Sequence, residues 1–136
     1  MPIDGVSLAE ITEALVRVPR ELCCEITTTC NLACGVCIAN ASAMASSRLS
    51  LDKFQDLVLH MSSDIVRVTI TGGEPTLHPD LSRFVKCCSL AGKHAVLSTN
   101  GYDVDCVMRL LDSADDIILA VSLHGPRAVH DRFVGR

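Results

Sequence analysis

A chain of 136 residues, 49% hydrophobic and 21% charged, can build one packed core and carries too little charge for a disordered segment, but it is short for a closed α/β barrel. Its net charge of −4 gives no basic footprint for nucleic acid or an anionic membrane, and no apolar run approaches the roughly 20 residues that span a bilayer. The first apolar stretch is interrupted by Glu10 and Glu13, so it does not read as a secretory signal, and the expected compartment is the cytosol.

Residues 7–18 are predicted as a helix, with Leu8, Ile11, Leu15 and Val18 on one stripe, Ser7 and Glu10 as a capping box and Pro19 as the stop. Residues 1–20 thus form a lead-in, set apart from 21–136, where strands and helices alternate. The first strand is expected at 21–27. The segment 39–47 is biased toward alanine and serine and reads as a loop or a weak helical lead-in. A helix over 50–61 follows, with Leu51, Phe54, Val58 and Met61 on its apolar face, then a strand over 65–71. The next helix, 79–91, has Leu81, Phe84, Val85 and Cys88 on one side, with Pro79 and Gly92 at its ends. A strand over 94–99 leads to a helix over 103–113, striped by Val104, Val107, Met108 and Leu111, and a last strand is expected over 116–123. This alternation predicts an α/β fold with a parallel sheet of about four βα units and right-handed crossovers.

The strands are two-faced. Leu22, Cys24 and Ile26 alternate with Cys23, Glu25 and Thr27; Val66, Val68 and Ile70 alternate with Arg67, Thr69 and Thr71. In the last strand Ile117, Leu119, Val121 and Leu123 alternate with Ile118, Ala120, Ser122 and His124. A parallel strand covered on both faces is usually apolar throughout. Here the apolar face takes the helices, and the other looks into a ligand cavity or onto solvent. Glu25 and Arg67 are placed to pair across neighbouring strands on that second face.

Eight cysteines are many for a cytosolic chain. A disulfide framework suits small secreted scaffolds without a core of their own, so metal, catalysis or simple burial are the better readings. Cys87, Cys88 and Cys106 fall on predicted helices and read as small buried hydrophobes, with an auxiliary cluster as the alternative. Cys23 and Cys24 point to opposite faces of a strand and make no joint site. Cys30, Cys34 and Cys37 differ: they lie within eight residues, in a polar loop after the first strand. Zinc would need a fourth ligand, whereas an iron–sulfur cubane held by three thiolates keeps one iron open.

The spacing Cys-x3-Cys-x2-Cys, followed in order by Gly72-Gly73-Glu74-Pro75, Ser98-Thr99-Asn100-Gly101, Val121-Ser122-Leu123-His124-Gly125 and His130-Asp131-Arg132-Phe133, resembles the radical S-adenosylmethionine (SAM) superfamily. The first four of these motifs fall at the C-terminal ends of the predicted strands, where βα architectures place their sites, and the fifth follows the last strand. The resemblance covers roughly residues 21–136 and implies an incomplete (β/α)6, TIM-like partial barrel, the first two-thirds of that family's core, preceded by the short N-terminal helix. It also implies that Cys30, Cys34 and Cys37 ligate a 4Fe–4S cluster whose open iron takes the methionine end of SAM. One-electron reduction then yields a 5′-deoxyadenosyl radical that abstracts hydrogen from a substrate. By the same carry-over, the backbone of Gly72 and Gly73, with Glu74, would meet the methionine ammonium. Thr99, Asn100 and Ser122 would serve its carboxylate or the ribose, although Asn100 and Gly101 also suit a plain turn. An electron donor of the flavodoxin or ferredoxin kind is implied as partner.

Two departures stand out. Val36 occupies the position before the third cysteine where the family usually has an aromatic residue near the adenine, and only about four of the family's six βα units are present. The alternatives are a truncated module that binds a cluster and SAM without turnover, and a structural zinc domain. His124 is oriented toward the cavity and can touch substrate or serve as an ordinary strand-end residue; His60, His78, His94 and His130 are given no role.

Overall fold

The computed structural model describes residues 20–114 and 116–135; the predicted helix over 7–18 lies outside them. Four strands, β1 (Glu21–Thr27), β2 (Arg67–Gly72), β3 (His94–Thr99) and β4 (Ile117–Val121), form one parallel sheet in the order β1-β2-β3-β4. The helices are α1 (Leu51–His60), α2 (Leu81–Leu90), α3 (Val104–Ser113) and α4 (Arg127–Phe133), with a 3-10 turn at Pro75–Leu77. This is the open, partly wound α/β sheet that the alternation of elements predicts. The turn and α4 were not anticipated. Neither spans a full stripe of apolar residues: α4 is 7 residues long and buries none of its side chains.

The faces of β1 and β2 sort as their alternation requires, whereas in the last strand Val121 and Leu123, expected on the apolar face, are exposed because no helix among the described residues covers them there. Cys24, Ile26, Val68, Ile70, Ala95 and Leu97 are buried against Leu51, Phe54 and Val58 of α1 and Leu81, Phe84, Val85 and Cys88 of α2. Phe54 and Phe84 meet edge to face with ring centroids 4.6 Å apart, a favourable aromatic geometry. α2 ends at Ala91, and Gly92 takes the left-handed conformation (φ 66°) that glycine adopts without strain. All eight cysteines are free thiols. Cys87 and Cys88 belong to the core, and burial, with Cys87 and Cys24 beside it, pushes the Cys88 thiol up to about 12. Such a thiol stays protonated and unreactive.

Two expectations are corrected. α3 buries Val107 and Leu110, with Cys106 partly packed on the core, whereas Val104 and Met108 are 60% and 51% exposed. The helix carries two overlapping apolar stripes, and packing selects the one through Leu110. Arg67 pairs with Glu21 at 3.2 Å, not with Glu25. The β1–β2 register sets Glu21 opposite Arg67 and Glu25 opposite Thr71, and the Thr69 hydroxyl also donates to Glu21.

Candidate functional site

All four strands deliver a loop to the same end of the sheet. There a cavity of about 160 Å³ is lined by Cys30, Cys34 and Cys37 after β1, Gly72 and Gly73 after β2, Thr99 and Asn100 after β3, and Ser122 after β4. Every residue singled out from the sequence for the site lines it except Glu74. Leu32, Thr71, Ser98, His124, His130 and Val134 complete the walls.

The cysteine loop is folded by its backbone. Residues 42–47 run beside 28–30: the Cys30 amide donates to the Ser42 carbonyl (3.1 Å), the Thr28 amide to Ser47 (3.0 Å) and the Thr29 hydroxyl to Ala45 (2.7 Å). Cys30 is buried, Cys34 half-buried and Cys37 exposed. The Leu32 amide donates to the Cys30 sulfur (3.5 Å) and the Ala41 amide to the Cys37 sulfur (3.4 Å). Burial, then the neighbouring Cys30 and Cys37, push the Cys34 thiol up, because each thiolate disfavours the next. Among the described residues, no three His, Cys, Asp or Glu side chains converge tightly enough to hold a single metal ion.

Gly72 and Gly73 have no room for a side chain. A Cβ at Gly72 would lie 2.2 Å from the Thr27 carbonyl oxygen, and one at Gly73 2.2 Å from that of Thr29. The Gly73 amide donates to Thr27 (2.7 Å) and the Glu74 amide to Thr29 (2.8 Å). The parallel pairing of β1 and β2 therefore continues past both strands and delivers Cys30 to the cavity.

Glu74 stands behind this wall, 0% exposed. Its Oε1 accepts from the Thr76 amide (3.1 Å), the Thr76 hydroxyl (2.7 Å) and the Thr99 hydroxyl (2.6 Å), and its Oε2 from the Asn100 amide (2.8 Å). Asn100 bridges onward: its amide group donates to Asn31 Oδ1 (2.8 Å), next to Cys30, while its own Oδ1 accepts from the Tyr102 amide (2.9 Å). Asn100 is thus both the turn residue and a tie to the cysteine loop.

After β4, His124 stacks on Phe133 with centroids 3.9 Å apart and lies 5.7 Å from the His130 ring. His130, given no role from the sequence, reaches the cavity because α4 folds back over it. The signal for α4 was Gly125-Pro126, a common helix-start pair, ahead of a stretch without an apolar stripe.

The radical SAM superfamily profile matches residues 24–136. The chain is 33% identical over 128 residues to an AdoMet-dependent heme synthase of Methanosarcina barkeri, covering 90% of this chain and 36% of that protein. It is 31% identical over 123 residues to a mycofactocin maturase of Mycobacterium ulcerans, covering 89% and 33%. The crystal structure of Streptococcus suis SuiB bound to S-adenosylmethionine superposes with a TM-score of 0.74 at 19% identity, over 93% of this chain and 31% of that one; this likeness is one of fold. SuiB bound to its precursor peptide gives a TM-score of 0.75 at 20% identity, over 93% and 30%. This chain belongs to the radical SAM superfamily. It spans about a third of the length of the curated relatives it matches.

Proposed function

We propose that this chain forms the cofactor-holding front of a radical SAM enzyme, in which Cys30, Cys34 and Cys37 hold a 4Fe–4S cluster and the opposite wall takes S-adenosylmethionine. The observation that carries the reading is the cavity itself, into which four loops from four strand ends bring three thiols and five of the six residues expected to contact SAM. The donor set fits the cluster. Three thiols of one loop surround one cavity, and backbone N–H groups already donate to two of the sulfurs, an arrangement that stabilises negative charge on sulfur. Bound there, the cluster would supply the electron that cleaves SAM to a 5′-deoxyadenosyl radical.

The protein's part is to bind and orient. Gly72 and Gly73 line the cavity, and their carbonyl groups would meet a ligand ammonium, while the missing side chains make room for the backbone of Thr27 and Thr29. Thr99, Asn100 and Ser122 line the same wall with hydroxyl and amide groups for the carboxylate and ribose of SAM. Glu74 serves this subsite from behind: its buried carboxylate holds the Thr99 hydroxyl and the Asn100 amide in place. The partner is a one-electron reductant of the flavodoxin or ferredoxin kind. Residues 21–136 form the core, and 1–20 a lead-in.

A second reading, a module that binds a cluster and SAM without turnover, is the other outcome of the test below. A structural zinc domain is supported less, since zinc needs four ligands on one ion.

Anaerobic reconstitution with iron and sulfide, followed by electron paramagnetic resonance of the reduced protein, tests the proposal. The expected result is a cluster signal that changes when SAM is added, is lost in Cys34→Ala and survives in Cys87→Ala. A cluster indifferent to SAM supports the module reading, and equal loss in both variants overturns the assignment of the cysteines.

A further inference from the structure

The far end of the described chain returns to the cysteine loop. The Ala33 amide donates to the Val134 carbonyl (3.2 Å) and the Gly35 amide to the Phe133 carbonyl (3.2 Å). Both carbonyls end α4, where the helix leaves acceptors without internal partners, and both amides flank Cys34 in a loop without regular structure. Each side therefore supplies what the other lacks. Gly135 makes the approach possible: at φ 77° it is left-handed, and a Cβ there would lie 2.7 Å from the Ala33 oxygen. Val134 is buried although α4, which it follows, buries none of its own side chains.

We propose that residues 133–135 are a latch on the cysteine loop, positioning Cys34 by holding the amides on either side of it, although they lie about a hundred residues from it in sequence. The latch also fixes the direction of those two N–H groups. Held by α4 carbonyls, they are withheld from the sulfur ligands; released, they and incoming water would stabilise the more negative, reduced cluster and raise its potential. The effect on the cluster rests on the function proposed above, whereas the latch itself does not.

The test compares Gly135→Ala with Gly92→Ala. Gly92 is also left-handed, at φ 66°, but has nothing within 4 Å of where a Cβ would stand, so it controls for backbone strain alone. In the cluster-free chain, amide hydrogen exchange of Ala33 and Gly35 should be slow in the wild type and in Gly92→Ala, and fast in Gly135→Ala. In the reconstituted chain, Gly135→Ala should lose iron to a chelator roughly tenfold faster or more, with a higher reduction potential, while Gly92→Ala keeps wild-type values. Unprotected Ala33 and Gly35 amides in the wild type, or equal behaviour of the two variants, would overturn the latch. Failure of every form to assemble a cluster, with the exchange pattern intact, would overturn the proposed function and leave the latch standing.

Discussion

Glu74 shows how one residue can belong to a site without facing it. A carboxylate removed from water needs charge-assisted hydrogen bonds to offset its desolvation, and four donors from Thr76, Thr99 and Asn100 supply them. Glu74→Ala would leave those buried donors without an acceptor, a loss of about 3 kcal/mol or more. Urea unfolding should therefore show a large fall in midpoint, with a smaller fall in Glu74→Gln. Unchanged stability in Glu74→Ala together with weakened SAM binding would restore a direct contact with the methionine ammonium. The Gly-Gly-Glu motif, which alone means little, was legible as part of a site through the resemblance, by its place in order after the three cysteines and at a strand end. What packs against its glycines was not legible. The crowding at Gly72 and Gly73 comes from Thr27 and Thr29, more than forty residues away, and no local pattern encodes that register.

At the scale of elements, His78 joins the 3-10 turn to α1 and α2. The Asp80 amide donates to its Nδ1 (3.1 Å), so the proton sits on Nε2, which donates to the Leu49 carbonyl (3.1 Å). The ring also meets Phe84 edge to face, with centroids 4.8 Å apart. Burial lowers the His78 pKa, and Arg48 acts in the same direction, against the Leu49 carbonyl and Asp80. A histidine whose folded pKa is depressed binds its proton more readily in the unfolded chain. Its contribution is therefore complete above the unfolded value of about 6.5 and is lost as the pH falls below it. Thermal unfolding midpoints should drop on acidification through this range, and less steeply in His78→Gln, which keeps a donor for Leu49. Parallel slopes in the two proteins would assign the acid sensitivity elsewhere. The elements themselves were readable from periodicity, within a residue or two at most ends. The α3 face and the partner of Arg67 were not: Val104 and Leu110 both fit a helical stripe, and Glu21 and Glu25 share one strand face, so only packing and register decide between them.

Over the whole molecule, β4 is the exposed margin. Among the described residues no strand pairs with its outer edge, and Ile118, Val121 and Leu123 are exposed there, as are Val104 and Met108 on α3. An open edge beside apolar side chains is a template for another chain. This chain on its own should therefore self-associate with rising concentration, as sedimentation velocity can follow, and a double Ile118→Lys, Val121→Lys variant should shift it toward monomer. A wild type that stays monomeric throughout would show this margin to be harmless. The strand order β1-β2-β3-β4 carries one more consequence. Each strand pairs with the one made just before it, so the sheet can be laid down from one edge as the polypeptide leaves the ribosome, with no strand waiting for a later one. The cysteine loop has its floor once residue 74 has been made, but residues 133–135 follow only about sixty residues later. During synthesis there is thus an interval in which the loop is shaped yet unfastened, and in which the iron and sulfide of the proposed cluster would have their freest access to it.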